Sequence, residues 1–192
     1  VSYWSYSKTT AGVSAGLKRA RAEFGELAAR GSEPDLIIET EGELIWIEAK
    51  LGATNKTRPT KPEETKGYLS GGDAWFSRAF ISDYEAVALT AKRYELMRLW
   101  LLGTWIAQEA GKEFHLINLV REQSREELFR AHLAALPNAH FTVATWEQVY
   151  RWLNEQGTQI SNGQILQKYL REKSAGYTAG RLVAAFPSLT EQ

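Results

Sequence analysis

An α/β domain with a mixed β-sheet flanked by helices is what this sequence predicts. Three observations carry that expectation. Apolar residues recur at three- and four-residue steps over several stretches, as helices with one buried stripe require. Between those stretches lie short runs rich in Ile, Leu, Val and Trp, two of them separated only by Glu41-Gly42. The composition, 44% hydrophobic and 24% charged over 192 residues, can fill one core. The order reads helix, β-hairpin, helix, strand, helix, strand, helix, the order of a sheet with helices on its faces. A single domain over residues 1–192 is expected, with its core at about 14–155 and a C-terminal helix and tail at 156–192.

Each element has a local reason. Ser14 to Arg30 reads as a helix, with Leu17, Ala20, Phe24, Leu27 and Ala28 on one stripe and Gly31 where a C-terminal cap belongs. Asp35–Thr40 and Glu43–Lys50 are the hairpin strands, and a two-residue loop ending in Gly favours a tight turn between them. Residues 52–72, interrupted by Pro59 and Pro62, read as a long polar loop that closes on Gly71-Gly72. Lys92 to Ala110 is a second helix, burying Tyr94, Met97, Leu101 and Trp105 and ending at Gly111. Phe114 to Val120 is a buried strand. Ser124-Arg-Glu-Glu127 is a capping box for a helix to about Ala135. Phe141 to Ala144 is a short strand, and Thr145-Trp-Glu-Gln148 is a second capping box, for a helix to about Glu155. A last helix spans about Gly163 to Glu172, before a weakly patterned tail.

Composition excludes several functions. There is no cysteine, hence no disulfide framework and no Cys-ligated zinc or iron–sulfur site, and a cytoplasmic location is expected. No apolar run reaches the roughly 18–20 residues of a membrane span, and residues 1–10 do not read as a signal peptide. Lys plus Arg (23) balance Asp plus Glu (23), so the chain is no bulk polycation. Any phosphate-binding surface must come from segregated charge, and segregation is present. Residues 33–50 hold six acids against Lys50, a local net of −5, while residues 51–80 hold five bases against three acids, a local net of +2.

The acidic stretch carries the chemistry. With Glu41-Gly42 as the loop, Thr40 faces Glu43, and counting outward along both strands sets Asp35 opposite Glu48. Directly opposed residues project to one face with Cβ atoms about 4.5–5.5 Å apart. Lys50, two residues beyond Glu48, shares that face. Leu36, Ile38, Thr40, Ile45, Ile47 and Ala49 form the other face, expected to be core. Opposed carboxylates repel unless a cation joins them or one takes a proton. A hard dication such as Mg²⁺ answers that need, since it is held by one or two carboxylates together with waters and phosphate oxygens. A lysine beside it can orient or activate a water, or balance charge on a phosphate. Two acids and a lysine around a cation are chemistry for phosphodiester hydrolysis. A one-residue slip of register would send the two acids to opposite faces.

Glu33-Pro34-Asp35-Leu36-Ile37-Ile38, followed by Ile47-Glu48-Ala49-Lys50-Leu51, resembles the PD-(D/E)xK nuclease superfamily, and within it a branch of uncharacterised restriction-endonuclease-like proteins. Asn55-Lys56-Thr57-Arg58-Pro59, Trp75-Phe76 and Tyr94-Glu95-Leu96-Met97-Arg98 extend the resemblance, which covers about Lys18 to Glu122. It implies a restriction-endonuclease-like mixed β-sheet core and a Mg²⁺-dependent nuclease, with Mn²⁺ able to substitute and no small-molecule cofactor. It also implies Asp35 and Glu48 as metal ligands, the Ala49 carbonyl as a further ligand and Lys50 as the catalytic lysine, assisting the attacking water. The superfamily often adds an acid from the first helix. Glu23, which flanks the apolar stripe, is the candidate ahead of Glu26, which lies opposite it. The superfamily core carries a strand between the first helix and the Asp-bearing strand. Gly31 to Glu33 is too short for one, so that strand is either vestigial or supplied from upstream of Val1.

Lys56, Arg58, Lys61 and Lys66 come after the active strand, and beside a metal site they would contact DNA phosphates. Trp100, Trp105, Trp146 and Trp152 fall on helical patterns and read as core, Trp75 and Trp4 are less constrained, and Tyr68 is a candidate substrate contact. His115, His132 and His140 have no metal-ligand spacing and read as structural or surface residues. DNA is the expected partner and no membrane is. Cleaving both strands needs two sites, which a homodimer would supply. The alternatives are a catalytically inactive nuclease-like module that binds nucleic acid or protein, and an unrelated α/β protein with a salt-bridge cluster at Asp35, Glu48 and Lys50.

Overall fold

The structure, a computed structural model, describes residues 2–3, 11–26, 33–50, 55–60, 65–121, 126–156, 159, 161–173, 175–178 and 181–184. Strands β1 (Ser2–Tyr3), β2 (Leu36–Glu39), β3 (Glu43–Ala49), β4 (Glu113–Val120) and β5 (Ala139–Thr145) lie side by side in that order. β1–β2 and β2–β3 pair antiparallel, β3–β4 and β4–β5 parallel, so the sheet is mixed. Helices α1 (Ala11–Glu23), α2 (Thr65–Ala74) and α3 (Phe76–Ala79), a π-helical segment (Glu85–Thr90) and α4 (Tyr94–Ala110) occupy the connections before β4. A 3₁₀ segment, Glu126–His132, precedes β5. Helices α5 (Trp146–Gln156) and α6 (Gly163–Lys173) and a separate hairpin, β6 (Ala175–Thr178) with β7 (Arg181–Ala184), come after it. The chain is thus an α/β fold with helices flanking a mixed sheet.

The hairpin has the register a two-residue loop sets: Leu36 pairs with Ile47, Ile37 with Trp46, Ile38 with Ile45 and Glu39 with Leu44. Thr40 pins the turn. Its N–H donates to the Glu43 carbonyl (2.9 Å) and its Oγ1 accepts from the Glu43 N–H (3.0 Å). The core face carries Ile37, Leu44, Trp46, Phe114, Leu116 and Phe141, each no more than 4% exposed. Helix α4 packs across this face on β3 and β4, and α1 packs on α4. This corrects the expected core. Leu36, Ile38, Ile45, Ile47 and Ala49 are only half-buried, and Thr40 is exposed. Both faces of the hairpin are apolar, so alternation does not choose between them; the rings do. Trp46 meets Phe114 edge-on (5.6 Å, 86°), and Trp100 of α4 lies 5.8 Å from the same ring. Asp35, Glu48 and Lys50 therefore sit at the end of the core face rather than behind it.

Other elements depart from expectation for local reasons. Helix α1 stops at Glu23, where Gly25 takes φ +77° and the Glu26 N–H reaches back to the Arg21 carbonyl (2.7 Å). Leu27, Ala28, Arg30 and Gly31 lie outside the described residues. The supposed loop 52–72 contains most of α2, with Tyr68 buried, while the expected turn at Gly71-Gly72 is present as a kink where Gly71, Gly72 and Asp73 leave helical geometry. The outer neighbour of β2 is β1, which comes from ahead of α1 and not from between α1 and β2. Of the first capping box, Ser124 and Arg125 lie outside the described residues, and the chain from Glu126 to His132 is a 3₁₀ segment rather than part of an α-helix to Ala135. The second box forms reciprocally: Thr145 N–H donates to Gln148 Oε1 (2.8 Å), and Gln148 N–H to Thr145 Oγ1 (3.1 Å). Trp152 is 54% exposed, not core. No helix among the described residues is long and apolar enough to cross a membrane.

Candidate active site

The end of β3 and the residue ahead of β2 build the candidate site. One step beyond the Leu36–Ile47 pair, the hairpin register sets Asp35 against Glu48. The Asp35 side chain is tied across the hairpin, its Oδ2 accepting from the Ala49 N–H at 2.8 Å. Glu48 is 2% exposed. The Lys50 ammonium contacts the Glu48 carboxylate and lies 3.1 Å from Glu95 Oε2. Its backbone is held from two sides: the Lys50 N–H donates to the Leu119 carbonyl of β4 (2.8 Å), and its carbonyl accepts from Trp146 Nε1 at the start of α5 (3.3 Å).

Three side chains outside the sequence-predicted set join this group. Glu95 comes from the first turn of α4, and its approach to Lys50 depends on Thr57. The Thr57 N–H donates to the Lys92 carbonyl (2.8 Å), its carbonyl accepts from the Tyr94 N–H (3.3 Å), and its Oγ1 caps the Glu95 N–H (2.8 Å). Residues 55–59 are thereby fastened to the N-terminus of α4. Asn118 of β4 is the register partner of Glu48 and projects to the same face. Asn118 and Asn55 are both fully buried; Asn55 Nδ2 donates to Asn118 Oδ1 (2.8 Å), while Asn118 Nδ2 and Asn55 Oδ1 have no hydrogen-bond partner. A sequence signal for Asn118 exists, an amide in the middle of the apolar run Phe114–Val120. Glu95 falls in a segment that extends the family resemblance, but no spacing or periodicity links it to Lys50, which it meets where Thr57 caps α4.

Burial pushes the Glu48 carboxyl up to about 7; the Lys50 hydrogen bond opposes this, and the Glu95 and Asp35 charges add to it. For Lys50, burial acts downward, but the hydrogen bond to Glu48 and the charges of Glu48 and Glu95 outweigh it and shift the ammonium up. Glu48 and Glu95 share one ammonium, Asp35 is a third carboxylate opposed to Glu48, and Glu48 is out of water.

The remaining predicted residues lie apart from this group. Glu23 is exposed and its Oε1 accepts from the Gly72 N–H (2.8 Å), at the junction of α1 with α2. Glu26 is buried in a network of its own, accepting from Arg98 Nε (2.9 Å) and the Tyr68 hydroxyl (2.9 Å). Neither is held in the Asp35–Glu48–Lys50 group. Tyr68 is 1% exposed, which removes it as a surface contact. Trp75 is also buried, its Nε1 donating to Thr104 Oγ1 (2.9 Å). Lys56 and Arg58 are exposed on either side of Thr57, hence next to the N-terminus of α4 and Glu95. Lys66 is exposed on α2, and Lys61 and Trp4 lie outside the described residues.

Compared with protein-family models, with curated proteins and with solved structures, the chain matches none. The chemistry of the site is then the guide to function. Its donors are oxygens, its carboxylates outnumber its ammonium, and its Glu48 carboxyl is held up near 7 by burial against the pull of Lys50. Those are properties that fit a hard dication.

Proposed function

We propose that the chain is a metal-dependent nuclease of the PD-(D/E)xK type, with a restriction-endonuclease-like fold, hydrolysing phosphodiester bonds in DNA. One observation supports this most: Asp35 and Glu48 are opposed across a hairpin, with the Lys50 ammonium on Glu48. A Mg²⁺ or Mn²⁺ ion held by Asp35 and Glu48, with the Ala49 carbonyl as a further donor, would neutralise the carboxylates and polarise a phosphoryl oxygen. Asp35 is pre-oriented for that role by the Ala49 N–H. Lys50, its ammonium shifted up by Glu48 and Glu95, would assist the attacking water by orienting it and would balance the charge that develops on the phosphate. Glu95 is a positioning residue: it keeps the ammonium charged and aimed. Lys56, Arg58 and Lys66, with Lys61, hold the phosphate backbone.

The test is incubation of the purified protein with plasmid DNA and Mg²⁺ or Mn²⁺. Nicking or cutting that leaves 5′-phosphates is expected, with Asp35→Ala inactive and Lys50→Ala slowed by about 10²–10³-fold. A wild-type protein with no metal-dependent activity on any DNA or RNA would sink the reading. DNA binding indifferent to metal and to Asp35→Asn would instead mark a non-catalytic module.

A further inference from the structure

At the other end of the same strands, and on the opposite face of the sheet, lies a second group of metal-ligating side chains. Glu43 opens β3 and Glu113 opens β4, and the parallel register sets them side by side. His115 comes two residues along β4 on the same face, and His140 of β5 is its register partner. One ligand atom from each of Glu43, Glu113 and His115 falls within 4.8 Å of the others. His115 Nε2 stands 3.6 Å from Glu113 Oε1 and 3.8 Å from Glu43 Oε1, within ion-pair range but too far for a hydrogen bond; the nitrogen itself is buried and makes none, while the side chain is 27% exposed. His140 stacks on His115 (5.1 Å between ring centroids), and its Nε2 lies 2.8 Å from Glu113 Oε1. The neighbouring cation does not neutralise the pair: Lys112 Nζ is engaged with Glu39 Oε1 and the Thr40 carbonyl, both at 2.7 Å.

We propose that Glu43, Glu113 and His115 form a binding site for a zinc-class transition-metal dication, with His140 orienting Glu113. Adjacent carboxylates on neighbouring strands repel, and a shared cation removes that repulsion. An imidazole among the donors selects Zn²⁺, Ni²⁺ or Co²⁺ over Mg²⁺. The unpartnered His115 nitrogen is the donor such an ion needs. A second imidazole on a ligating carboxylate is a familiar outer-shell device. Three protein donors leave coordination positions open to water, so the site is an open one. In sequence it is invisible, because Glu43 and Glu113 lie 70 positions apart and only the β3–β4 register brings them together. The proposal is independent of the nuclease reading, and the two sites do not share a residue.

The experiment is a calorimetric titration with Zn²⁺, run on the wild type and on the Asp35→Asn, Glu48→Gln double variant, which removes the first site. Saturable uptake of one equivalent by the double variant is expected. His140→Ala should weaken that uptake by about 10- to 100-fold, and His115→Ala by at least as much. Glu43→Gln, at an exposed position, should weaken it too, and circular dichroism shows that each variant is folded. Co²⁺ in place of Zn²⁺ should give a visible absorption band that His115→Ala loses. No saturable uptake by the wild type would overturn the proposal. So would uptake that survives His115→Ala and Glu43→Gln, or uptake that vanishes in the double variant, which would place the ion at Asp35 and Glu48.

Discussion

Glu48 is a carboxyl on a strand whose other core-facing side chains are Leu44 and Trp46, and its proton is a stability statement. Its value of about 7 in the folded chain exceeds the ordinary 4.5. Below about 4.5 the folded and unfolded chains both hold the proton. Between 4.5 and 7 the folded chain holds a proton that the unfolded chain has released, so stability falls as pH rises through this window. Above 7 the loss is complete and stays constant. At about 1.4 kcal/mol per pH unit, the loss is on the order of 3 kcal/mol. Thermal melting without divalent metal should therefore show a Tm that falls from about pH 5 to about pH 7.5, and Glu48→Gln should remove most of that slope. Mg²⁺ should flatten it as well, because a dication favours the ionised carboxylate and raises the Tm most where the proton is already lost. A slope that persists undiminished in Glu48→Gln would contradict the assignment.

Helix α4 both covers the core face and delivers Glu95, so its seat on the sheet links packing to the site. That seat depends on Gly103. A Cβ there would fall 2.1 Å from Phe114 Cζ and 2.4 Å from Cε2, and the ring has no room to retreat between Trp46 and Trp100. Gly103→Ala would gain about 1 kcal/mol of helix propensity and lose about 1–3 kcal/mol or more to overpacking. A net destabilisation of about 1–2 kcal/mol is expected in urea unfolding; a variant as stable as the wild type would show that the ring yields. At this scale the sequence is legible where a signal is local. The two-residue turn fixed the β2–β3 register, and the Thr145–Gln148 box fixed the start of α5. Helix α2 was hidden because its apolar content is low and its contact with α1 is made by glycines: a Cβ on Gly67 would meet the Phe24 carbonyl oxygen at 2.3 Å, and one on Gly71 the Glu23 oxygen at 2.6 Å. The core face of the hairpin was illegible for the opposite reason, since both faces are apolar and only the tertiary position of α4 decides. Asp35, Glu48 and Lys50 come from one hairpin and are readable together, whereas Glu95 reaches Lys50 through a loop-to-helix bond at Thr57 that no spacing rule contains.

Across the whole molecule, zero net charge becomes a condition on how DNA would be held under the proposed function. No net charge draws the chain to a duplex, so affinity would come from contacts near the site, and each contact would leave a signature in salt. Asp35, Glu48 and Glu95 around Lys50 would repel a phosphate chain unless metal offsets them, and the cations at Lys56 and Arg58 flank Thr57, which caps α4 beside Glu95. Each phosphate neutralised on duplex DNA contributes about 0.9 to the slope of log K against log salt. If Lys56, Arg58, Lys61 and Lys66 each engage one phosphate, the slope should be about −3 to −4. The measurement is DNA binding by fluorescence anisotropy across a salt series, with Mg²⁺ present and with Asp35→Asn protein so that the DNA stays intact. Replacing both Lys56 and Arg58 by Ala should reduce the slope by about 2 and weaken binding equally for unrelated sequences, because phosphate contacts carry no base information. Without Mg²⁺ the same protein should bind more weakly still, since the acidic hairpin then faces the backbone uncompensated. A slope near zero would overturn binding through the phosphate backbone, and one untouched by the double replacement would move the DNA path away from this loop.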